Sequence, residues 1–177
     1  MRIKNEIKSI VKSFNFAFKG LWFCIVNERN MRIHLVVAAY VLFFSFFYNL
    51  SKVEYIVLLL AIALVIIAEM INTAIETLTN LSSPSYDMLA KLSKDIAAAA
   101  VLIAALFSIG IGIILFFDLS VVVCIFDFFT ESFLNIAALI LSLVLSCIFI
   151  SKGFLPVRRS RQNIVRRIRD SQEKKGD

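Results

Sequence analysis

Apolar residues recur with the spacing of an α-helix over the first 26 residues. Ile3, Ile7, Ile10 and Phe14 mark one face, and the lysines fall largely on the other. This pattern predicts an amphipathic helix over residues 4–26 that lies in a membrane interface, with its lysines toward lipid phosphates. The alternative is that the apolar face packs on the protein's own core.

Four longer apolar stretches follow, at about residues 33–48, 53–78, 96–117 and 133–150. Each approaches the roughly 20 residues that cross the hydrocarbon core of a bilayer. We therefore expect an all-α integral membrane protein. The interfacial helix and a three-helix transmembrane core form a domain over residues 1–117, and an extension over 118–177 holds a fourth span and a basic tail from residue 152.

The amino-acid composition supports a membrane protein. Apolar types make up 60% of the 177 residues and charged types 18%, and a soluble globule of this size cannot bury so much apolar surface. The 17 Phe exclude a disordered chain, which is poor in large apolar residues. One His and three scattered Cys give no zinc-ligand set.

The distribution of Lys and Arg predicts the orientation. With four spans, eighteen of the nineteen fall on one side of the membrane, and the connection over residues 118–132 carries none. The positive-inside rule puts that side, with both termini, in the cytoplasm. We interpret the arginine-rich tail as a membrane anchor, in preference to a nucleic-acid-binding segment.

Polar residues that are costly at membrane depth form one stripe in the second span. Glu69, Asn72, Glu76 and Asn80 recur at helical spacing, so their side chains share a face. An ionisable group in the hydrocarbon usually marks a functional site or an internal partner, and Glu69 follows fourteen apolar residues. Two carboxylates with an amide between them can hold a divalent cation or relay protons.

Further polar groups lie toward the same side of the membrane. Glu28 precedes the first span, and Lys94 and Asp95 open the third, where Ser93 is a candidate N-cap. A lysine beside the free N–H groups of a helix start suits phosphate, and Glu28 with Glu76 suits Mg²⁺. Plain structural roles also fit, since Glu76 can snorkel to water and the lysine can anchor the helix at the interface.

Three segments carry a family resemblance. They read NERNMRIH at 27–34, AEMINTAIE at 68–76 and AKLSKDIAAAAVL at 90–102, whereas the phosphate-binding loops of soluble kinases are absent from the sequence. From about residue 5 to 117 the chain resembles the prokaryotic diacylglycerol kinase and undecaprenol kinase family of small membrane lipid kinases. The resemblance implies an ATP-dependent kinase that phosphorylates a lipid hydroxyl at the cytoplasmic face of the bacterial plasma membrane, as a homotrimer with shared active sites.

The same resemblance implies roles for individual residues. Glu69 would be the general base that takes the hydroxyl proton, and Glu28 and Glu76 would bind Mg²⁺ on the ATP phosphates. The other residues expected at the nucleotide are Asn72, Tyr86, Lys94 and Asp95. The residues expected at the lipid, together with Glu69, are Asn30, Arg32, His34 and Ala98.

The sequence departs from the family pattern at Asn80, where Asp is usual, at Asp87, where His is usual, and at Phe16, where some members have a hydroxyl. These changes concern contacts to ATP and motivate an alternative of another class, a catalytically inactive membrane scaffold. A proton-coupled transporter would also use intramembrane glutamates, but it gives no reason for a lysine opposite them. His34 favours undecaprenol as the lipid, and diacylglycerol is the alternative.

Overall fold

The structure, a computed structural model, describes residues 2–82 and 87–152. Across these ranges the secondary structure is helical, which confirms the all-α membrane fold. The helices are α1 (Arg2–Asn27), α2 (Arg29–Ser45), α3 (Lys52–Ser82), α4 (Met88–Phe116), α5 (Leu119–Thr130) and α6 (Phe133–Lys152). Tyr86 and the basic tail beyond Lys152 lie outside the described residues.

Among residues 2–82 and 87–152, four helices are long and apolar enough to cross a membrane, namely α3, α4, α6 and the part of α1 from Glu6 to Asn27. This set differs from the four predicted stretches, because it includes α1 and omits α2. The second helix has only 17 residues, since the chain breaks at Glu28 and turns after Ser45. It is about 25 Å long, a little less than the hydrocarbon core. The interfacial position of α1 stays a prediction.

The core of the fold is the antiparallel pair of α3 and α4. Small side chains let two helix backbones approach closely in a membrane, and the Ser108 hydroxyl donates to the Ala61 carbonyl across this pair at 3.2 Å. Within the alanine run at 97–100, Ala97 is buried and the other three are exposed. The buried apolar residues of the pair are Leu58, Ala61, Val65, Ala97, Val101 and Ala104.

The start of α4 corrects the expectation for the third span. The helix begins at Met88, and Asp87 caps it by accepting a hydrogen bond from Leu89 N at 2.8 Å. Ser93, the predicted cap, lies inside the helix and donates to the Leu89 carbonyl at 2.9 Å. The prediction of a phosphate-binding helix start at Lys94 is therefore wrong. The prediction placed the helix start at the beginning of the unbroken apolar run at Ile96, but the helix already includes residues 88–95, none of which is Gly or Pro.

The connection over residues 118–132 contains a helix that the sequence pattern did not predict. The Asp118 side chain caps α5 by accepting from Ser120 N at 2.9 Å, and the 12 residues of α5 are too few to span a bilayer. After it, α6 returns along α2. The Tyr40 hydroxyl lies 3.0 Å from Ser142 Oγ and 3.2 Å from Ser146 Oγ, so the fourth apolar stretch packs against the first.

We expect Ser51→Ala to destabilise the start of α3. The Glu54 N–H donates to Ser51 Oγ at 3.3 Å, and the Ser51 N–H donates to Glu54 Oε2 at 2.7 Å, which is a reciprocal capping box. The free energy of unfolding should fall by about 1 kcal/mol, as measured by denaturation in detergent micelles. Ser13→Ala is the control, because Ser13 is an exposed residue inside α1, and its effect should stay below about 0.5 kcal/mol. Equal losses would contradict the capping role.

Candidate active site

The polar stripe predicted in the second span lies along α3. Glu69 and Asn72 are buried, with 2% and 6% of their surface exposed, and Glu76 is half-buried. The Thr73 hydroxyl donates to the Glu69 carbonyl at 2.9 Å. Asn72 Nδ2 donates to Glu76 Oε1 at 3.4 Å. The Asn72 amide therefore orients the second carboxylate of the stripe.

A cavity of about 240 Å³ lies between α2, α3 and α4. Asn30 and His34 of α2 line it together with Glu69 and Asn72 of α3, and α4 contributes Ala98. The structure thus brings five of the predicted site residues to one cavity, although they come from three separate segments of the chain.

Glu69 and Asn72 line this cavity, and one buried oxygen of each, Glu69 Oε2 and Asn72 Oδ1, has no hydrogen-bond partner among the residues that the structure describes. An unpaired buried polar atom costs about 1–3 kcal/mol, so such atoms are rare and call for an explanation such as a catalytic role. A carboxylate oxygen at a cavity wall can accept a hydrogen bond from a substrate hydroxyl and take its proton.

Glu28 lies at the break between α1 and α2. Its backbone is extended, with φ −103° and ψ 122°, and its N–H donates to the Cys24 carbonyl at 2.8 Å. The negative charges of Glu28 and Glu76 both act on Glu69. Three carboxylates therefore share this end of the helix bundle.

The carboxylates fit a magnesium ion that arrives with a nucleotide. Within residues 2–82 and 87–152 no group of three His, Cys, Asp or Glu side chains is arranged to hold a metal ion alone. Mg²⁺ is usually bound by one or two carboxylates together with waters and substrate phosphates. Glu28 and Glu76 supply two such carboxylates.

Lys94 reaches the same stripe from α4. Its Nζ donates to Asn80 Oδ1 at 2.6 Å, and Asp95 beside it is exposed. Asn80, which departs from the family pattern, thus has a defined partner in this chain. Tyr86 falls in the gap between the described ranges, so its place at the nucleotide stays a prediction.

Arg32 lies apart from the cavity. Only 7% of its surface is exposed, and its guanidinium donates to the backbone carbonyls of Ile25, Val26 and Ile150. Arg32 is therefore not among the residues that line the cavity with Asn30, His34, Glu69 and Ala98.

A second cavity of about 330 Å³, lined mainly by apolar atoms, adjoins the first. His34 and Ala105 line both cavities, and the second continues along α4 past Gly112 to Phe116. The sequence analysis did not identify this apolar lining on α4. Its signal was available, because Ala98, Ala105 and Gly112 recur every seven residues and so share a face of α4, but the adjacent alanine run obscured it.

Comparisons with known proteins agree on one family. The family described as prokaryotic diacylglycerol kinase matches residues 15–116. The chain is 37% identical over 113 residues to the undecaprenol kinase of Bacillus subtilis, which covers 64% of this chain and 92% of that protein. It is 36% identical over 105 residues to a diacylglycerol kinase of Synechocystis, covering 59% of this chain and 60% of the relative. The diacylglycerol kinase of Escherichia coli K12 is 28% identical over 100 residues, with 56% and 82% covered. No solved structure matches significantly.

We expect Glu69→Leu to make the protein more stable. Glu69 Oε2 is buried without a partner among the described residues, so an apolar side chain removes a cost of about 1–3 kcal/mol. The measurement is the free energy of unfolding in micelles without substrates. Met70→Leu, an exchange of similar volume at the next position of α3, is the control and should give no gain. A loss of stability in Glu69→Leu would mean that the carboxyl group has a partner in the folded protein.

Proposed function

The chain belongs to the prokaryotic diacylglycerol kinase family, and from this premise we propose that it transfers the γ-phosphoryl group of ATP to the hydroxyl of a membrane lipid, most specifically undecaprenol. Family membership supports lipid kinase activity. The observation that carries the mechanism is Glu69, whose side chain lines the cavity between α2, α3 and α4 and whose buried Oε2 lacks a partner in the described chain.

Glu69 is the proposed general base. The proton of the lipid hydroxyl passes to Glu69 Oε2 as the hydroxyl oxygen bonds to the γ-phosphorus. The bond from that phosphorus to the β–γ bridging oxygen breaks, and ADP leaves. An alcohol is a weak nucleophile, and a positioned base typically contributes 10²–10⁴-fold to the rate.

Glu28 and Glu76 are the proposed ligands of the Mg²⁺ that accompanies ATP. Bound there, the ion would offset charge on the phosphates during transfer. Asn72 holds the Glu76 carboxylate through its Nδ2 contact. Because Glu28 sits at the break between α1 and α2, the geometry of that break decides how the two carboxylates face each other.

Lys94 and Asp95 belong to the proposed nucleotide side, with Asn72 and Tyr86. Lys94 is held by Asn80 at the exposed end of the stripe. An ammonium group there can approach phosphate oxygens as they gain charge in the transition state. This role needs the side chain alone, so it does not depend on a helix start at Lys94.

The lipid is proposed to lie across the two adjoining cavities. Asn30, His34 and Ala98 surround the hydroxyl near Glu69, and the apolar cavity past Ala105 receives the chain. Undecaprenol fits this division, since its hydroxyl ends a single long hydrocarbon chain. The similarity to the undecaprenol kinase of Bacillus subtilis supports this substrate, while other relatives are diacylglycerol kinases. We leave Arg32 out of the lipid site.

The proposed setting is the bacterial plasma membrane. The lysine and arginine distribution supports a cytoplasmic location of both termini and of the three carboxylates. A homotrimer with shared active sites is proposed from the family resemblance, and exposed apolar residues on α3 and α4 offer surface for such contacts.

The test of the base is Glu69→Gln in mixed micelles with labelled ATP. We expect the rate of lipid phosphorylation to fall by about 10²–10⁴-fold, because Gln cannot take the proton. Glu54→Gln is the matched control. It makes the same exchange at the other end of α3, where Gln also completes a capping box, and should keep the rate within about twofold of wild type. If the wild-type protein shows no lipid phosphorylation that depends on Glu69, the inactive scaffold is favoured.

The test of the lipid offers undecaprenol and diacylglycerol together to the wild-type protein. We expect undecaprenol to be labelled with the higher kcat/KM. The polar cavity at Glu69 adjoins one apolar cavity, which suits a lipid with a single hydrocarbon chain. Preferential labelling of diacylglycerol would overturn the substrate assignment and leave the kinase proposal standing.

A further inference from the structure

Arg32 joins the end of α1 to α6 with one buried charge. Its Nη1 donates to the carbonyls of Ile25 at 3.2 Å and Val26 at 3.0 Å, in the last turn of α1. Its Nε and Nη2 donate to the Ile150 carbonyl of α6 at 3.3 and 3.2 Å. Carbonyls of a last helical turn have no partner within their helix and carry the negative end of its dipole. The guanidinium therefore satisfies the end of α1 and adds a bond to α6.

Polar contacts hold α6 in its register on α2. None of the residues of α6 is buried, and a cavity of about 440 Å³ lies between parts of the two helices. The fixed points are Ser142 and Ser146 at Tyr40, and Ile150 at Arg32. The spacing of four puts these three α6 residues on one face. The Arg32 contact is the one nearest the candidate active site.

Arg32 is also part of the segment that builds the site. It lies one turn after Glu28, and it is flanked on α2 by Asn30 and His34, which line the cavity. Its bonds to Ile25 and Val26 fix the angle at which α1 meets α2. A displacement of Arg32 therefore moves the Glu28 carboxylate and the Asn30 amide, the second of which lines the cavity with Glu69.

We propose that α6 is a positioning element of the active site, and that Arg32 transmits its position to the junction of α1 and α2. This inference rests on the proposed function. The family match ends at residue 116, so α6 lies outside the matched residues. Arg32 is a positioning residue in this arrangement and does not touch the substrate.

The first test weakens the Ile150 carbonyl without changing its side chain. Replacing Ser151 by its α-hydroxy acid analogue turns that carbonyl into an ester, which is a poorer acceptor. We expect kcat to fall about fivefold, as for the loss of one hydrogen bond, with the lipid KM changed less than twofold. The same backbone exchange at Val144, in the middle of α6, is the control and should leave kcat within twofold.

A double-mutant cycle decides between positioning and direct lipid binding. In an Arg32→Gln background the ester at residue 151 should cause no further loss of kcat, because the donor is already gone. Arg32→Lys should recover part of the rate, since an ammonium can reach one of the carbonyls. An equal loss from the ester in both backgrounds, or a raised lipid KM at unchanged kcat in Arg32→Gln, would overturn the proposal.

A second readout is independent of activity. Trp22 is the only tryptophan, and Cys147 is exposed on α6 while Cys24 is buried. In a Cys124→Ser background, an acceptor dye on Cys147 reports energy transfer from Trp22. We expect Arg32→Gln to lower the transfer, since it releases α6 from α1. Unchanged transfer would overturn the inference. Lowered transfer in a chain without kinase activity would support the contact and refute the proposed function.

Discussion

The close packing of α3 on α4 is the constraint on which the site depends. Alanines at the contact let the two backbones approach, and bonds near both ends fix their register, from Ser108 to the Ala61 carbonyl and from Lys94 to Asn80. With that register set, the stripe on α3 faces the small side chains of α4. Ala97 is buried in this contact, whereas its neighbour Ala98 is exposed and lines the cavity beside Glu69, so a bulky residue at Ala98 would fill that cavity.

The α2 side of the cavity requires a break in the helix at Glu28. An unbroken helix through residues 2–45 would carry Asn30 and His34 along the axis of α1. The extended backbone at Glu28 ends the first helix and starts the second at a new angle. Broken helix ends expose carbonyls, which are costly away from water. Arg32 offsets that cost at Ile25 and Val26, so the break and the arginine form one structural unit.

Sequence reasoning succeeded where one helix carries the whole signal. Glu69, Asn72 and Glu76 were predicted to share a face because their spacing alone determines it. The start of α4 was predicted wrongly, because the prediction used the change from polar to apolar residues. That change indicates where a helix enters the membrane, whereas a capping residue such as Asp87 indicates where the helix begins. Asn30, His34 and Ala98 were assigned by the family resemblance, and only the tertiary structure brings them to one cavity with Glu69.

Arg32 and Glu69 show why a charged residue at membrane depth does not by itself identify a functional site. Both are buried ionisable residues of the bundle, and such residues are costly in apolar surroundings. The guanidinium finds carbonyl partners, one of them 118 positions away, and no pattern in the sequence marks a backbone acceptor at that distance. Glu69 Oε2 finds none among the described residues. A satisfied buried charge holds the fold together, whereas an unsatisfied one at a cavity wall is a feature that packing does not explain and that the proposed role as a general base would.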